Sequence, residues 1–516
     1  MGTAPAVQEL LADSPADLLR VPPRATADAD PHGRELLWNH IWESLNAGSK
    51  IVLFAIVTPM MLAAWGTAQF GVFAIANSCV SLMVFLDFGL RTLTRVGLSD
   101  PNLSNADRLR LHAVHVAALA ISLATGLVVI LSLALTGSWH RWLHLPREGD
   151  FVIAAVSGVA AATMLVQLLL ERIAAAGKLS VIKAAVFAGN VLGFAAVLTC
   201  LRFEIDLART TVTYFVALAF PLLFLLPKGD LNLRGFLAAM RSLSAAELGA
   251  AFKQGYWINT ITGSWLLQSY GLIFVISALV SPAEAGRFFL YLKLSEFLSV
   301  LGASASEPTI AAIAGSATPE QQRARIRTGY SSAVALCLTG AAGYAFFSAD
   351  LFRLWLGVSL PTPSTGLLLG LLGAMGAFGR MITAATLGLA QPRPAALSSL
   401  AGAIVTLLGV GLFYHSHGAE MILATAAASG LFFIPAGKIV STRMRSGFAA
   451  MWMKPLGEFM PSLFLIVAIC WSAAHFGTNI AIKAFAAAAA ALICLHYIFR
   501  DAPRNKTLSC ADEYAC

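Results

Sequence analysis

The sequence predicts an all-α polytopic membrane protein: about 14 transmembrane helices, in two pseudo-symmetric six-helix lobes around a central cavity, plus two extra C-terminal helices. Of its 516 residues, 58% are apolar and 12% are charged, whereas soluble domains carry roughly 25% charged residues. The apolar residues form runs of about 20, the length at which a helix crosses roughly 30 Å of hydrocarbon. These two observations exclude soluble enzymes and nucleic-acid-binding proteins.

Fourteen apolar runs, separated by short polar turns, supply the predicted spans. They are 46–65, 70–90, 112–137, 151–170, 181–201, 209–227, 255–280, 285–305, 329–349, 365–390, 396–414, 418–437, 457–475 and 478–499. Prolines and glycines inside the runs, such as Pro59 and Gly263, fit membrane helices, because neighbouring helices satisfy the freed backbone groups and small residues allow close packing.

The basic residues predict the orientation of these spans. With fourteen spans both tails lie on one side of the membrane, and that side holds 25 of the 35 Lys and Arg residues, against six on the other side and four inside spans. The positive-inside rule therefore places both termini in the cytoplasm. The formal net charge of +8 thus indicates orientation and not a nucleic-acid partner.

The same pattern divides the chain into segments. The predicted segments are a disordered cytoplasmic tail (1–36), an N-lobe (37–227), a cytoplasmic amphipathic linker (228–252), a C-lobe (253–440), the last two spans (456–499) and a cytoplasmic tail (500–516). The linker places apolar residues at helical spacing among Arg234 and Arg241, which is typical of a helix lying on the inner leaflet.

Two short segments predict an internal repeat. Gln69-Phe70-Gly71-Val72-Phe73 opens the second span, and Glu284-Ala285-Gly286-Arg287-Phe288 opens the eighth span. Six spans separate the matched glycines, Gly71 and Gly286, so both halves have the same orientation. Such a parallel repeat is related by an axis along the membrane normal.

The residues around this repeat resemble a known family. The stretch from Thr67-Ala68-Gln69-Phe70-Gly71 to Asp87-Phe88-Gly89-Leu90-Arg91, the segment from Ala285 to Glu307-Pro308 and the turn Leu389-Ala390-Gln391-Pro392-Arg393 are similar to oligosaccharide flippases. These form the polysaccharide-transporter branch of the multidrug/oligosaccharidyl-lipid/polysaccharide exporter superfamily. The sequence departs from the family pattern at Gln69-Phe70, where an acidic residue and Tyr are usual.

The resemblance implies a flippase, and not an enzyme, for undecaprenyl-pyrophosphate-linked oligosaccharide in the bacterial inner membrane. Its products would be O-antigen, capsule or exopolysaccharide, and its partners membrane lipids, a polysaccharide polymerase and chain-length machinery, with no nucleic acid. Two alternatives stay open: a multidrug or metabolite cation antiporter of the same superfamily, and a membrane-embedded glycosyltransferase or polymerase. The second usually needs long external loops or paired surface carboxylates, and neither is evident in the sequence.

Ionisable residues deep in a span are costly and so mark candidate sites. Lys293 and Glu296 lie near the midplane of span 8, three residues apart on one helix face. They are interpreted either as a packed, self-neutralised pair or as cavity groups that bind an anionic headgroup and a cation. Arg380, in a glycine-rich part of span 10, either faces the cavity or snorkels towards the interface.

A second set of candidates lies nearer the ends of the spans. Asp87, Arg91 and Arg95 recur every four residues at the inner end of span 2, where they either anchor the helix or bind substrate. Lys50 near the start of span 1 is open to the same two interpretations. Three uncharged residues of span 7 suit sugar hydroxyls but also suit helix packing. They are Asn259, Gln268 and Tyr270.

No metal site and no bound cofactor is predicted. The pairs His112/His115, His140/His144 and His415/His417 lie at span ends or external turns without carboxylate or Cys neighbours, so interfacial placement is expected. The sequence shows no Walker A, HExxH or GxSxG motif. The driving force is therefore left to the substrate gradient, the membrane potential, or an H⁺ or Na⁺ gradient.

Overall fold

A computed structural model describes residues 31–98, 103–176, 178–229, 233–314, 318–357, 363–389, 391–476 and 480–501, and every regular element in these ranges is a helix. Among them, eleven helical segments are long and apolar enough to cross a membrane. They are Gly48–Asp87, Asn105–Leu135, Glu148–Ala175, Leu179–Arg202, Ala245–Leu279, Pro319–Leu356, Ser364–Gly388, Pro392–Leu412, Glu420–Arg443, Ala449–His475 and Ile480–Ile498. The predicted polytopic all-α membrane architecture is confirmed.

The helices are numbered here in chain order. They are α1 (Pro31–Met83), α2 (Leu90–Leu98), α3 (Asn105–Leu135), α4 (Ser138–Leu143), α5 (Glu148–Ala175), α6 (Leu179–Arg202), α7 (Leu207–Leu223), α8 (Leu233–Arg241), α9 (Ala245–Leu266), α10 (Leu272–Leu279), α11 (Pro282–Ala314), α12 (Pro319–Leu356), α13 (Pro363–Gly388), α14 (Pro392–Ser429), α15 (Phe433–Arg443), α16 (Lys454–Phe476) and α17 (Ile480–Asp501). The π-helical turns Leu267–Gly271 and Ala449–Met453 precede α10 and α16.

The breaks between predicted spans occur where the backbone becomes non-helical. Gly66 in α1 (φ 70°, ψ 175°) lies between predicted spans 1 and 2, and Gly418 in α14 (φ 61°, ψ −151°) lies at the start of predicted span 12. Positive φ is accessible to glycine because it has no Cβ. The shorter α7 and the 33-residue α11 coincide with predicted spans 6 and 8, so each of the fourteen predicted spans falls on helix.

The chain forms two compact units. The first unit ends at Leu292 and the second begins at Lys293. The core of the first includes Leu119 and Leu168, and the core of the second includes Trp452 and Phe459. The boundaries at 37–227 and 253–440 stay a prediction. Most of the predicted tails, residues 1–30 and 502–516, lies outside the described residues.

Span 2 packs closely against spans 7 and 8 within the first unit. A Cβ built on Gly286 would lie 2.9 Å from the Cα of Gly71, so the two glycines matched in the sequence repeat are in contact. In a parallel repeat, a two-fold axis along the membrane normal relates the two halves, and equivalent residues touch only where this axis passes between them. The contact between Gly71 and Gly286 agrees with such a repeat. Near the other end of span 2, a Cβ on Gly255 would overlap the carbonyl oxygen of Phe88.

Candidate functional site

The helix of span 2 stops and restarts at its predicted inner end. A 3-10 turn, Val84–Asp87, is followed by Phe88 and Gly89 with φ of 49° and 68°, and α2 then begins at Leu90. Left-handed backbone is unusual for phenylalanine and is maintained only where surrounding contacts hold it. Here the Phe88 ring packs edge-on against Phe252, with ring centroids 5.0 Å apart. The break places Asp87 and Arg91 at the junction.

Three sequence-predicted candidates meet at this junction. The Arg91 Nε donates to Asp87 Oδ2 at 3.2 Å, as the four-residue spacing predicts, and the Arg91 guanidinium also donates to Gln167 Oε1 on α5. Arg95 donates to both carboxylate oxygens of Glu171 on α5, at 2.7 and 2.9 Å. Arg95 thus forms a bidentate ion pair, and its role as a helix anchor or a substrate ligand stays a prediction.

Gln167 and Glu171 escaped the sequence reasoning. They lie four residues apart on α5 and so share the helix face that meets α2. Glu171 is only 5% exposed, although it has a carboxylate that pairs with Arg95. An acid just after the apolar run of span 4 was the available signal, because a glutamate at a span end is seldom buried without a cation to pair with.

The sequence placed His112 and His115 at a span end but did not predict their burial. Both lie in the first part of α3 and are 0% and 1% exposed, since α2, α5 and α8 cover this end of the helix. His140 in α4 is half-buried and His144 after it is exposed, as expected of an external turn. The side chains of His415 and His417 lie outside the described residues, as do those of Glu307 and Pro308.

Lys293 and Glu296 form the ion pair that their spacing predicts. The Lys293 Nζ donates to Glu296 Oε2 at 2.8 Å, and the side chains are 17% and 22% exposed. The Tyr344 hydroxyl of α12 donates to the Leu294 carbonyl at 2.7 Å and fixes α11 beside the pair. Both ionised groups have further interactions with their surroundings. A role for them in substrate binding stays a prediction.

The other candidates are placed singly. Lys50 is exposed on α1, Asn259 is buried in α9, and Arg380 is half-buried in α13. Gln268 and Tyr270 both lie in the π-helical turn Leu267–Gly271. Single π turns inside α-helices occur frequently at functional sites, because the wider turn exposes backbone groups and redirects side chains. The sequence did not predict this turn.

An apolar cavity of about 720 Å³ lies beside the junction in the first unit. Its lining residues are Cys79, Leu82, Met83, Leu86, Phe88, Ile121, Ser122, Thr125, Gly126, Val129, Ile130, Trp139, Phe252 and Phe274. Ile121 and Val129 on its rim are 50% and 54% exposed, so the cavity opens on the outer surface of α3. The lining side chains are almost all apolar, so the cavity suits an apolar chain.

No protein-family model and no curated protein matches the chain. Solved structures do share its fold. A structure described as lipid II flippase MurJ in an inward closed conformation is similar over 91% of this chain and 99% of that one, with 10% identity and a TM-score of 0.63. The MATE multidrug transporter DinF-BH is 14% identical over 82% of this chain and 98% of its own, with a TM-score of 0.58.

A eukaryotic MATE transporter, AtDTX14, is likewise similar over 83% of this chain and 99% of its own, with 15% identity and a TM-score of 0.55. These structural neighbours are transporters, and both kinds are members of the multidrug/oligosaccharidyl-lipid/polysaccharide exporter superfamily. At identities of 10 to 15%, the TM-scores of 0.55 to 0.63 show a shared fold and no more. The chain is therefore a multi-pass membrane protein with the fold that the MurJ and MATE transporters share.

Proposed function

We propose that the protein flips an undecaprenyl-pyrophosphate-linked oligosaccharide across the bacterial inner membrane by alternating access, for O-antigen, capsule or exopolysaccharide export. One observation carries the proposal: the apolar cavity lies directly beside a cluster of arginines. Phe88 lines the cavity, and Arg91 and Arg95 follow within two turns on the next helix. A ligand that has an apolar chain joined to an anionic group matches this arrangement.

The charges of the cluster favour an anion. Asp87 pairs with Arg91 and Glu171 pairs with Arg95, and the next residue of α5 is a further cation, Arg172. Side chains of Arg91 and Arg95 are 26% and 43% exposed and therefore accessible. Guanidinium groups bind phosphate oxygens in a bidentate manner, which suits a pyrophosphate.

The remaining parts of the cargo have candidate partners on other helices. The oligosaccharide hydroxyls are assigned to Asn259, Gln268 and Tyr270, because amide and phenol groups donate and accept hydrogen bonds without adding charge. Lys293, Glu296 and Arg380 are assigned to the translocation path, and Lys50 to its predicted cytoplasmic mouth. The proposal includes cytoplasmic termini and the polymerase and chain-length machinery as partners.

A multidrug or metabolite cation antiporter is the second candidate, favoured by the TM-scores of 0.55 and 0.58 with MATE transporters. A cation-binding site needs an acid that is available to the cargo. Glu296 is the one deep acid among the predicted candidates, and its carboxylate is engaged by Lys293. This pairing favours the flippase.

The flippase is tested by deleting the gene and following lipid intermediates. We expect undecaprenyl-linked repeat units to accumulate on the cytoplasmic leaflet while surface polysaccharide is lost. Complementation with Lys293→Ala or Arg380→Ala should fail to restore export at unchanged membrane levels of the protein. Arg287→Ala is the matched control, since Arg287 lies on the same helix as Lys293 in an exposed pair with Glu284. Normal surface polysaccharide and unchanged intermediates in the deletion strain would refute the proposal.

A further inference from the structure

Pairs of aromatic rings close both ends of the apolar cavity. At the end nearest α2, Phe88 packs edge-on against Phe252, with ring centroids 5.0 Å apart. At the other end, Trp139 of α4 packs against Phe274 of α10, with ring centroids 6.1 Å apart. The Trp139 Nε1 also donates to the Ile130 carbonyl at 3.3 Å. These contacts hold the rings in place, so the cavity has a defined length.

Two antiparallel helical segments form the long walls of the cavity. Span 2 and α3 touch at Gly126, where a Cβ would overlap Leu86 Cδ1. Thr94, eight residues after Leu86, lies 2.7 Å from His115, which is eleven residues before Gly126. Span 2 and α3 therefore run in opposite directions, and the end of the cavity nearest α2 is also the end nearest the start of α3.

The walls set the length of the cavity. Its lining residues run from Cys79 to Phe88 on span 2 and from Ile121 to Ile130 on α3, nine residues further along in each case. At about 1.5 Å per helical residue, the cavity is about 14 Å long. With carbon–carbon bonds of about 1.5 Å, this length holds about three isoprene units of an extended polyprenyl chain. An undecaprenyl chain is several times longer, so most of it must lie elsewhere.

Polar side chains in the lining already have hydrogen-bond partners inside the protein. Cys79 Sγ and Ser157 Oγ share a hydrogen bond at 3.3 Å, and the Thr125 hydroxyl donates to the Ile121 carbonyl at 2.9 Å. The Trp139 indole N–H is likewise engaged. A ligand with many heteroatoms would lose its hydrogen bonds to water and gain few in return, which is costly. The lining therefore favours a hydrocarbon chain.

A hydrocarbon chain needs a second attachment to occupy this cavity selectively. Lipid tails are as apolar as the lining, so apolar contacts alone do not favour one chain over another in a membrane. Arg91 lies three residues after Phe88, and its side chain is 26% exposed. A diphosphate bound by Arg91 would tether the first units of its chain beside the cavity and raise their effective concentration there. This advantage decreases along the chain, because a longer tether is less effective.

We propose that the cavity binds the isoprene units of the lipid carrier that lie nearest its diphosphate, and that Trp139 and Phe274 limit their number to about three. The inference rests on the proposed function, which supplies the polyprenyl diphosphate. The protein thus recognises only the proximal part of the chain. Longer carriers are accepted whatever their total length, whereas a shorter chain leaves the end at Trp139 empty.

The test locates each part of the chain by photolabelling. One probe is farnesyl diphosphate with a diazirine on its last unit, and the other is undecaprenyl diphosphate with a diazirine on its last unit. Each is irradiated with the full-length protein in phosphatidylethanolamine and phosphatidylglycerol vesicles, and mass spectrometry identifies the labelled residues. We expect the farnesyl probe to label the cavity lining at least about tenfold more than the undecaprenyl probe does. Equal labelling by the two probes would overturn the proposal.

Two control probes distinguish this site from ordinary contact with lipid. Farnesol with the same diazirine lacks the diphosphate, and phosphatidylethanolamine with a diazirine in one acyl chain reports bulk lipid. At equal concentration, both should label the lining about tenfold less than farnesyl diphosphate does. If either control labels the lining as strongly as farnesyl diphosphate, the cavity is ordinary lipid-facing surface and the proposal is wrong.

Neighbouring residues of α3 provide a matched pair of variants. Val129 lines the cavity and is 54% exposed, whereas Val128 is 63% exposed and does not line it. Val129→Trp should fill the end at Trp139 and reduce farnesyl labelling to the level of the farnesol probe. Val128→Trp adds the same bulk outside the cavity and should behave as the wild type. Equal labelling of the two variants would contradict the site.

Removing the indole tests the length limit. Geranylgeranyl diphosphate is one unit longer than the farnesyl probe, so a diazirine on its last unit should label the wild type outside the cavity. In Trp139→Ala the end of the cavity is open, and this label should appear near Phe274. An unchanged labelling pattern would overturn the limit that Trp139 and Phe274 are proposed to set.

The labelling experiment requires neither sugar nor flipping, so its failure is distinct from failure of the proposed function. Flipping is measured separately, in the same vesicles, with the lipid-linked repeat units that accumulate in the deletion strain. If these units are flipped and the lining stays unlabelled, the chain-binding site is wrong and the flippase function stands. If the lining is labelled as expected and no flipping occurs, the site stands and the cargo is wrong.

Discussion

One buried polar cluster in the first unit and one in the second use different chemistry. In the first unit, α2, α3 and α5 meet around charges and imidazoles, of which the Arg95 and Glu171 pair is an example. In the second, the indole of Trp452 is 0% exposed, its Nε1 donates to Gly437 O at 3.1 Å and Ser441 Oγ at 2.9 Å, and Tyr330 packs edge-on against it.

This difference separates a cluster that contains unpartnered polar atoms from one whose indole N–H has two acceptors. The indole N–H is a donor at every physiological pH and has two acceptors, so the second cluster has one stable arrangement. The first unit contains two imidazole nitrogens, His112 Nδ1 and His115 Nε2, and one carboxylate oxygen, Asp87 Oδ1, without a partner among the described residues. A buried polar atom without a partner costs free energy, so the first cluster is the less well satisfied of the two.

Removing the indole is expected to have the largest effect on stability. Trp452→Ala should lower the free energy of unfolding by about 3 kcal/mol, because the cavity removes packing around Tyr330 and Phe378. This is the low end for a core aromatic residue, since helices that separate in a membrane remain in an apolar solvent. SDS titration in mixed micelles measures the change. Trp471→Ala, at a 45% exposed position, should cost less than about 0.5 kcal/mol. Equal losses for the two substitutions would contradict the placement of Trp452 in the core.

The second prediction compares one ion pair from each unit. Glu171→Gln should cost about 2 kcal/mol, because the amide NH₂ then faces the Arg95 guanidinium as a second donor inside the protein. Glu458→Gln should cost less than about 1 kcal/mol, since Glu458 and its partner Arg327 are 33% and 43% exposed and are screened by water. The same titration measures both. A larger loss for Glu458→Gln would reverse the comparison.

The third prediction concerns the approach of span 2 to span 7. Gly255→Ala should cost about 1.5 kcal/mol, because the new Cβ overlaps the Phe88 carbonyl and α9 must shift. Gly249→Ala, on the same helix with nothing within 4 Å, should stabilise the protein by up to about 1 kcal/mol through helix propensity. If both substitutions stabilise the protein, the close contact is absent from the populated state.

The hydropathy pattern was sufficient for the fold because a bilayer leaves few alternatives to apolar helices. The spans, the breaks at Gly66 and Gly418 and the glycine contact at Gly71 all agree with sequence signals. Contacts made by residues far apart in the chain were not predictable in this way. Lys483 lies near the start of α17, where a lone lysine usually snorkels, but it donates to Asp350, 133 residues away, at 2.6 Å.

The burial of the histidines shows the same limit at the candidate site. His112 lies near the start of the apolar run, and this position suggested the interface. The 31 residues of α3 span about 46 Å, which exceeds the hydrocarbon thickness. Near the start of this helix the Phe236 ring of α8 packs against His112, with ring centroids 5.6 Å apart. The pattern of one helix contains no information about which neighbour covers its end.

The smallest effect is expected for Ser441→Ala. It should cost about 0.5 kcal/mol in the SDS titration, because the Trp452 Nε1–H keeps the Gly437 carbonyl as its second acceptor. Thr94→Val in the first unit keeps the side-chain shape but removes the hydroxyl that lies 2.7 Å from His115 Nδ1, at a cost of about 1 to 2 kcal/mol. Each substitution deletes one buried hydroxyl, so the difference between the two losses measures whether a second hydrogen-bond partner is present. Equal losses would mean that His115 Nδ1 finds another partner.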